Sequence, residues 1–190
     1  MEFHAPNDYV RPMRLSEATR RFAFDSLHHR YGSEALAHHA VPMDDAPGFE
    51  TLSDIEKYDR MIRTIAERAP VRICENERVS GAATLGTAID HKVPATLRGE
   101  PVFNSVSHLT VDFASVLQYG VNEIKRRAQA AYEQYRGTER EPFAKSCLAC
   151  IEAFELWHAR YLDALRARPE FRANFENLLR VPFPASKRRS

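Results

Sequence analysis

Three groups of side chains in this sequence have types and spacings with which chemistry can be done. Cys147 and Cys150 stand at the C-x-x-C spacing of a dithiol redox pair or of half a tetrahedral zinc site. Zinc would need a second Cys or Cys/His pair, and the remaining cysteine, Cys74, stands alone. The pair also falls inside a long helical pattern, so its plain reading is two small apolar thiols packed on a helix face. The doublets His28-His29 and His38-His39 offer imidazole nitrogens, but adjacent residues of a helix project to different sides, and no HExxH or carboxylate arrangement accompanies them. No metal site is expected. His108 and Asp112 form the third group, an imidazole and a carboxylate four positions apart. No nucleophile accompanies them, and Thr110 or Asp112 is placed to cap a helix while His108 hydrogen-bonds nearby backbone. The sequence also lacks GxGxxG, GxxxxGK[ST] and GxSxG, so nucleotide-binding and hydrolase readings have no anchor. No residue is expected to be catalytic.

The surroundings of His108 and Asp112 carry more information than the pair itself. In Ser107-His-Leu-Thr-Val-Asp-Phe-Ala-Ser-Val-Leu-Gln-Tyr-Gly-Val-Asn-Glu-Ile124, the residues His108, Asp112, Phe113, Val116, Leu117, Gly120 and Ile124 fit the pattern GH-x-x-x-D-(Y/F)-x-x-(V/L)-L-x-x-G-x-x-x-I, with Ser107 in place of its glycine. Upstream, Ile73, Glu77 and Gly81 fit I-x-x-x-E-x-x-x-G, and downstream Leu178 to Pro184, LLRVPFP, resembles a lead-in to a further helix that dissolves at SKRRS. Taken in order, these stretches resemble the amino-terminal part of pyruvate formate-lyase-like glycyl radical enzymes, with the strongest likeness over residues 50–184.

That resemblance implies part of a much larger barrel enzyme of the lyase or dehydratase lineage. In such enzymes one finger loop carries a relay cysteine, and a later one carries a glycine that an iron-sulfur activase converts to a radical. Neither loop has a counterpart here, so the resemblance implies no catalytic residue and no cofactor in this chain, and no catalysis by the chain alone. It also implies that His108 and Asp112 border the substrate cavity of a complete enzyme, as substrate-binding residues. Arg78-Val79-Ser80-Gly81 reproduces most of the radical-glycine motif Arg-Val-Ser-Gly-Tyr, but Ala82 stands where tyrosine belongs and the segment comes too early. Gly81 therefore reads as a turn or bulge glycine, and Cys74 as buried packing rather than a relay thiol.

Helices must position all of these residues. Leu15, Ala18, Phe22 and Leu27 recur at helical spacing between Met13 and Arg30, and Ser33 is placed to cap a short second helix through His39. The run VPMDDAPGFE reads as a surface loop. Ser53 and Glu56 spell a capping box for a helix whose apolar face is Ile55, Tyr58, Ile62, Ile65 and Ala66, ending before Pro70. Short strands are expected around 71–81, within an irregular stretch to Asn104 interrupted by glycines and by Pro94 and Pro101. A long helix from Asp112 to about Gly137 buries Phe113, Val116, Leu117, Val121, Ile124, Ala128, Ala131 and Tyr135, with Gly120 allowing a close helix contact. A second, Glu141 to Arg166, uses Phe143, Cys147, Leu148, Ile151, Phe154, Trp157, Tyr161 and Leu165. A short helix after Pro169 holds Phe171, Phe175 and Leu178. The expectation is a single, mainly α domain over 1–190, multi-helical, with a long antiparallel helix hairpin and a few short β-strands.

Composition bounds the function classes. The 190 residues are 44% hydrophobic and 28% charged with only 7 glycines, which is the make-up of a globular protein. Twenty-seven basic and 26 acidic side chains leave a net charge of +1, so no field draws in nucleic acid or an anionic membrane. No apolar run approaches the roughly 20 residues of a membrane span, and no signal peptide is recognised, so a cytoplasmic protein with reduced thiols is expected. Partners expected from these features are a second copy, through exposed apolar helix faces, or the remainder of a glycyl radical enzyme. The alternative function is a stand-alone helical adaptor or regulatory protein.

Overall fold

A computed structural model of the chain describes residues 16–27, 41–69, 71, 73, 95–102 and 112–180. These form helix α1 (Glu17–Leu27), strand β1 (Val41–Pro42), a 3-10 turn at Phe49–Thr51, helix α2 (Asp54–Arg68) and strands β2 (Ala95–Leu97) and β3 (Glu100–Pro101). Helices α3 (Phe113–Tyr135) and α4 (Glu141–Arg166), a 3-10 turn at Pro169–Phe171 and helix α5 (Arg172–Arg180) follow. The fold is mainly helical, as the periodicity requires, and α4 is its hub: α2, α3 and α5 all pack against it.

Helices α3 and α4 form the antiparallel hairpin. Their connection turns at Gly137, whose φ of +73° lies in the left-handed region that favours glycine. The Gly137 N–H donates to the Glu141 carboxylate at 2.6 Å, and the Thr138 hydroxyl donates to the Tyr135 carbonyl at 2.6 Å. Farther from the turn, Lys125 Nζ reaches Glu155 Oε2 at 2.6 Å across the pair. Helix α2 runs in the same direction as α4, because its contacts climb both helices together: Asp59 accepts a hydrogen bond from the Ser146 hydroxyl at 2.5 Å, and the Ala66 carbonyl accepts one from Arg160 at 2.7 Å. Helix α5 closes the far end, where His158 Nε2 lies 2.9 Å from the Leu178 carbonyl and the Arg166 guanidinium stands over the Phe175 ring.

The capping box of α2 forms as the sequence predicts. Ser53 Oγ accepts the Glu56 N–H at 3.4 Å, while the Glu56 carboxylate accepts the Ser53 N–H at 3.0 Å and its hydroxyl at 2.7 Å. Two N–H groups that a helix start leaves without partners are thereby satisfied. Ser53→Ala is expected to lower stability by about 1 kcal/mol, seen as a lower urea midpoint with an unchanged slope. An unshifted midpoint would mean that the α2 start contributes nothing to the cooperative unit.

The buried face of α2 matches the expected one at Ala66, with Ile62 and Ile65 packed against the core, and departs from it at the helix start. Met61, Thr64 and Ala66 are buried, while Ile55 and Tyr58 are exposed. The reason is that α2 serves two neighbours, α4 and the sheet, and Met61 points into a cluster with Met43, Phe49 and Ala95. Thr64 tolerates burial because its hydroxyl donates to the Arg60 carbonyl at 2.8 Å.

The run at 41–50, expected as a surface loop, supplies part of that core instead. Val41, Met43 and Phe49 are buried, with exposed Pro42 and Asp44 alternating between them. Burial is possible because the polar groups around it have partners. The Met43 N–H donates to Thr96 O at 2.8 Å, and the Asp44 carboxylate accepts the Arg98 N–H at 2.7 Å. Arg68 binds the Asp45 carboxylate through two nitrogens at 2.7 and 2.9 Å and the Pro42 carbonyl at 3.0 Å.

Among the described residues, the strands lie outside the expected 71–81 window. Half-buried Val71 and Ile73 carry no strand, and the rest of that window lies outside the described residues. The sheet has the order β1-β2-β3, with β1 parallel to β2 (Val41 beside Ala95) and β2 antiparallel to β3 (Leu97 beside Glu100). Arg98 and Gly99 have φ of +54° and +83°, the two positive angles of a type I′ hairpin. Pro101 does not interrupt the sheet, because β3 is an edge strand on which a missing donor is tolerated.

Helix α3 is not continuous. Gly120 has φ +73° and ψ 163°, which separates a short segment through Tyr119 from a longer one starting at Val121. The expected role of Gly120, a close contact inside an unbroken helix, is therefore replaced by a buried break in the backbone. Helix α1 falls inside its expected span, and the helix expected at 33–39 lies outside the described residues, as do residues 181–190.

Candidate interaction site

Asp112 is the N-cap of α3, and its Oδ1 accepts the Ser115 N–H at 3.1 Å. Hydrogen bonds from the Ser115 side chain and backbone hold its carboxyl below the usual carboxylate range. That is the local capping role among the two readings of this residue, and a cap does not prevent the same carboxylate from facing a ligand. His108 lies outside the described residues, together with His28, His29, His38, His39, Cys74 and the 78–81 segment.

Cys147 and Cys150 are free, half-buried thiols in the middle of α4. Burial, followed by the negative charge of Asp59, pushes both thiols up from their usual pKa. Nucleophilic and redox cysteines need the opposite shift, since the thiolate is the reactive form. In a Cys74→Ser background, both are expected to alkylate with iodoacetamide at neutral pH several-fold more slowly than after unfolding in urea. Equal rates in the two states would show that α4 does not shield them. Among the described residues, no group of three or more His, Cys, Asp or Glu side chains gathers as a metal-binding set.

Among the described residues, concave surfaces flank α4 on two sides. The first, about 710 Å³, lies between α2 and the start of α4 and mixes both signs of charge, with Glu56, Asp59, Arg60, Arg63, Lys145 and Glu152 on its walls. Much of that charge is already engaged: Glu56 in the capping box, Asp59 with Ser146, and Arg63 with Glu67 at 2.6 Å. With Glu141 also on its wall, the lining holds four carboxylates against three cations, an interspersed set with a net of only one negative charge and little field for an ionic ligand.

The second, about 840 Å³, lies in the hairpin between α3 and α4 and is apolar. Ile124, Ala128 and Ala131 line it from α3, and Ala144, Cys147 and Ile151 from α4, with Tyr135 and Phe143 toward the hairpin tip. Phe143, expected in the core, is 69% exposed. On the short first segment of α3, Phe113 and Leu117 are 62% and 76% exposed, again against expectation. The heptad-like spacing of these residues marks an apolar stripe but does not say whether the same chain covers it. At Phe143 the signal available in sequence was its place three residues into α4, beside the turn.

Comparison with protein-family models, with curated proteins and with solved structures finds no match to this chain. Among the described residues, no helix is long and apolar enough to cross a membrane.

Proposed function

We propose that this chain is a helical interaction module, an adaptor whose α3–α4 hairpin docks another polypeptide and which is not itself a catalyst. The observation that carries this reading is the apolar hairpin groove with Phe143 standing exposed beside it. Single exposed apolar residues are ordinary, but an exposed aromatic continuous with an apolar groove is the form that protein-binding surfaces take. The module is proposed to work in the cytoplasm, where Cys147 and Cys150 remain free thiols.

The test is site-specific photocrosslinking in cells, with a benzophenone side chain in place of Phe143 and, as control, in place of the exposed Gln129. Discrete protein adducts from position 143 and none from 129 are expected. Equal or absent adducts from both would sink the module reading.

A second reading draws its support from Asp112 and Gly120. Both belong to the likeness with glycyl radical enzymes, and both sit where the backbone restricts the residue type, one at a helix cap and one at a positive φ. On this reading the docked polypeptide is the remainder of a lyase or dehydratase, and the glycyl radical and its iron-sulfur activase belong to that remainder. Reading the coding DNA past the Ser190 codon decides it. A continuation with a finger-loop cysteine and a late Arg-Val-Ser-Gly-Tyr supports the reading, and its absence removes it. His108 and Asp112 would then border the substrate, and unchanged affinity and turnover after substituting both in a complete homologue would count against that role.

A further inference from the structure

We infer that the polypeptide docked on the hairpin is a second copy of this chain, paired tip to tip about a two-fold axis with Phe143 of each copy laid over the alanine floor of the other. The inference rests on the interaction-module reading and names the partner of that same surface.

A two-fold interface must be self-complementary, since the same patch serves both sides. This patch carries a projection and a recess together. Phe143 protrudes at the start of α4, and the adjoining groove is floored by the small side chains Ala128, Ala131 and Ala144. The groove volume of about 840 Å³ leaves ample room for one phenyl ring.

Charge at the rim points the same way. Glu139 and Arg140 are neighbours on the groove edge, and neither takes part in an ion pair among the described residues. Arg140 stands over the Tyr135 ring at 5.6 Å with no counter-ion among the described residues, whereas Arg127 is paired with Glu123 at 3.0 Å and Arg136 with Glu133 at 3.2 Å. A two-fold axis that passes between these adjacent opposite charges brings each against the opposite sign on the other copy. A partner of one dominant charge would leave one of the two facing a like charge. With a net charge of +1, no long-range repulsion opposes association of two copies.

Sedimentation velocity of the full chain over a wide concentration range tests this. A dimer of twice the 21.8 kDa chain mass is expected. Phe143→Glu should weaken self-association by about thirty-fold or more, the effect of losing an anchoring aromatic. Its circular dichroism should be unchanged, because the side chain is exposed and an acidic residue suits a helix first turn. Glu139→Arg alone and Arg140→Glu alone should each weaken the dimer, and the double exchange should restore it. A wild-type chain that stays monomeric overturns the inference, as does a dimer indifferent to Phe143→Glu. If the chain is monomeric but position 143 still crosslinks to a different protein, the second copy is excluded and the interaction module stands. If the chain is monomeric and nothing crosslinks, both fall.

Discussion

Met61→Ala is expected to destabilise the protein by about 2–5 kcal/mol, the cost of deleting a large side chain from a core that cannot collapse around the gap. Met61 is fully buried where α2, the 41–52 segment with Met43 and Phe49, and strand β2 through Ala95 meet. The surrounding backbone is held by the Met43–Thr96 hydrogen bond and by the two-nitrogen grip of Arg68 on Asp45, so the walls have little freedom to close. Urea unfolding should show a large drop in midpoint with an unchanged slope. Met61→Leu, which keeps volume, should cost less than about 1.5 kcal/mol. If the alanine variant lost less than about 1 kcal/mol, the cluster around Met61 would not be the core that joins α2 to the sheet.

Gly120→Ala is the second large effect, expected at about 1–3 kcal/mol. At φ +73° and ψ 163° a Cβ meets its own backbone, so only glycine adopts this geometry without strain. On helix propensity alone the sign would be reversed, because alanine in a helix interior is about 1 kcal/mol better than glycine. The two arguments therefore separate cleanly in one measurement. Lower stability with unchanged far-ultraviolet circular dichroism supports a break imposed by packing, in keeping with the burial of Gly120 and Val121. Higher stability with added helix content would mean that the glycine alone interrupts an otherwise straight α3.

The sequence was most legible where a local rule has one solution. Ser53 with Glu56 marks a helix start by hydrogen bonds spanning three residues, and Pro142 followed by a sustained apolar stripe fixes α4 from Glu141 to Arg166. It was least legible where distant residues decide. Nothing near Val41 or Met43 says that Thr96, more than fifty positions away, accepts the Met43 N–H, so a run with two prolines and a glycine reads as exposed loop. Likewise the Arg98-Gly99 turn lacks the Asn-Gly or Asp-Gly signature, and the hairpin around it was hidden. The candidate surface shows the same division. Periodicity identified Phe113, Leu117 and Phe143 as one-sided apolar residues, but whether such a side faces the chain's own core depends on what packs beside it. The capping chemistry before the apolar run of α3 was readable, because a cap is a local structure, and of the two candidates Thr110 and Asp112 it is Asp112 that caps.

The parallel pairing of β1 with β2 bears on the order in which the molecule assembles. Val41 and Ala95 must find each other across a loop that contains the whole of α2, and closing a loop of that length costs chain entropy before any contact repays it. The α3–α4 hairpin, by contrast, closes over five residues and gains contacts at every turn it zips. Refolding followed by pulsed hydrogen exchange should therefore protect amides of α4 first and the Met43 amide, whose acceptor is on β2, last. During that interval the chain has a finished helical hairpin and an unclosed core around Met61, and in this interval it is most exposed to aggregation.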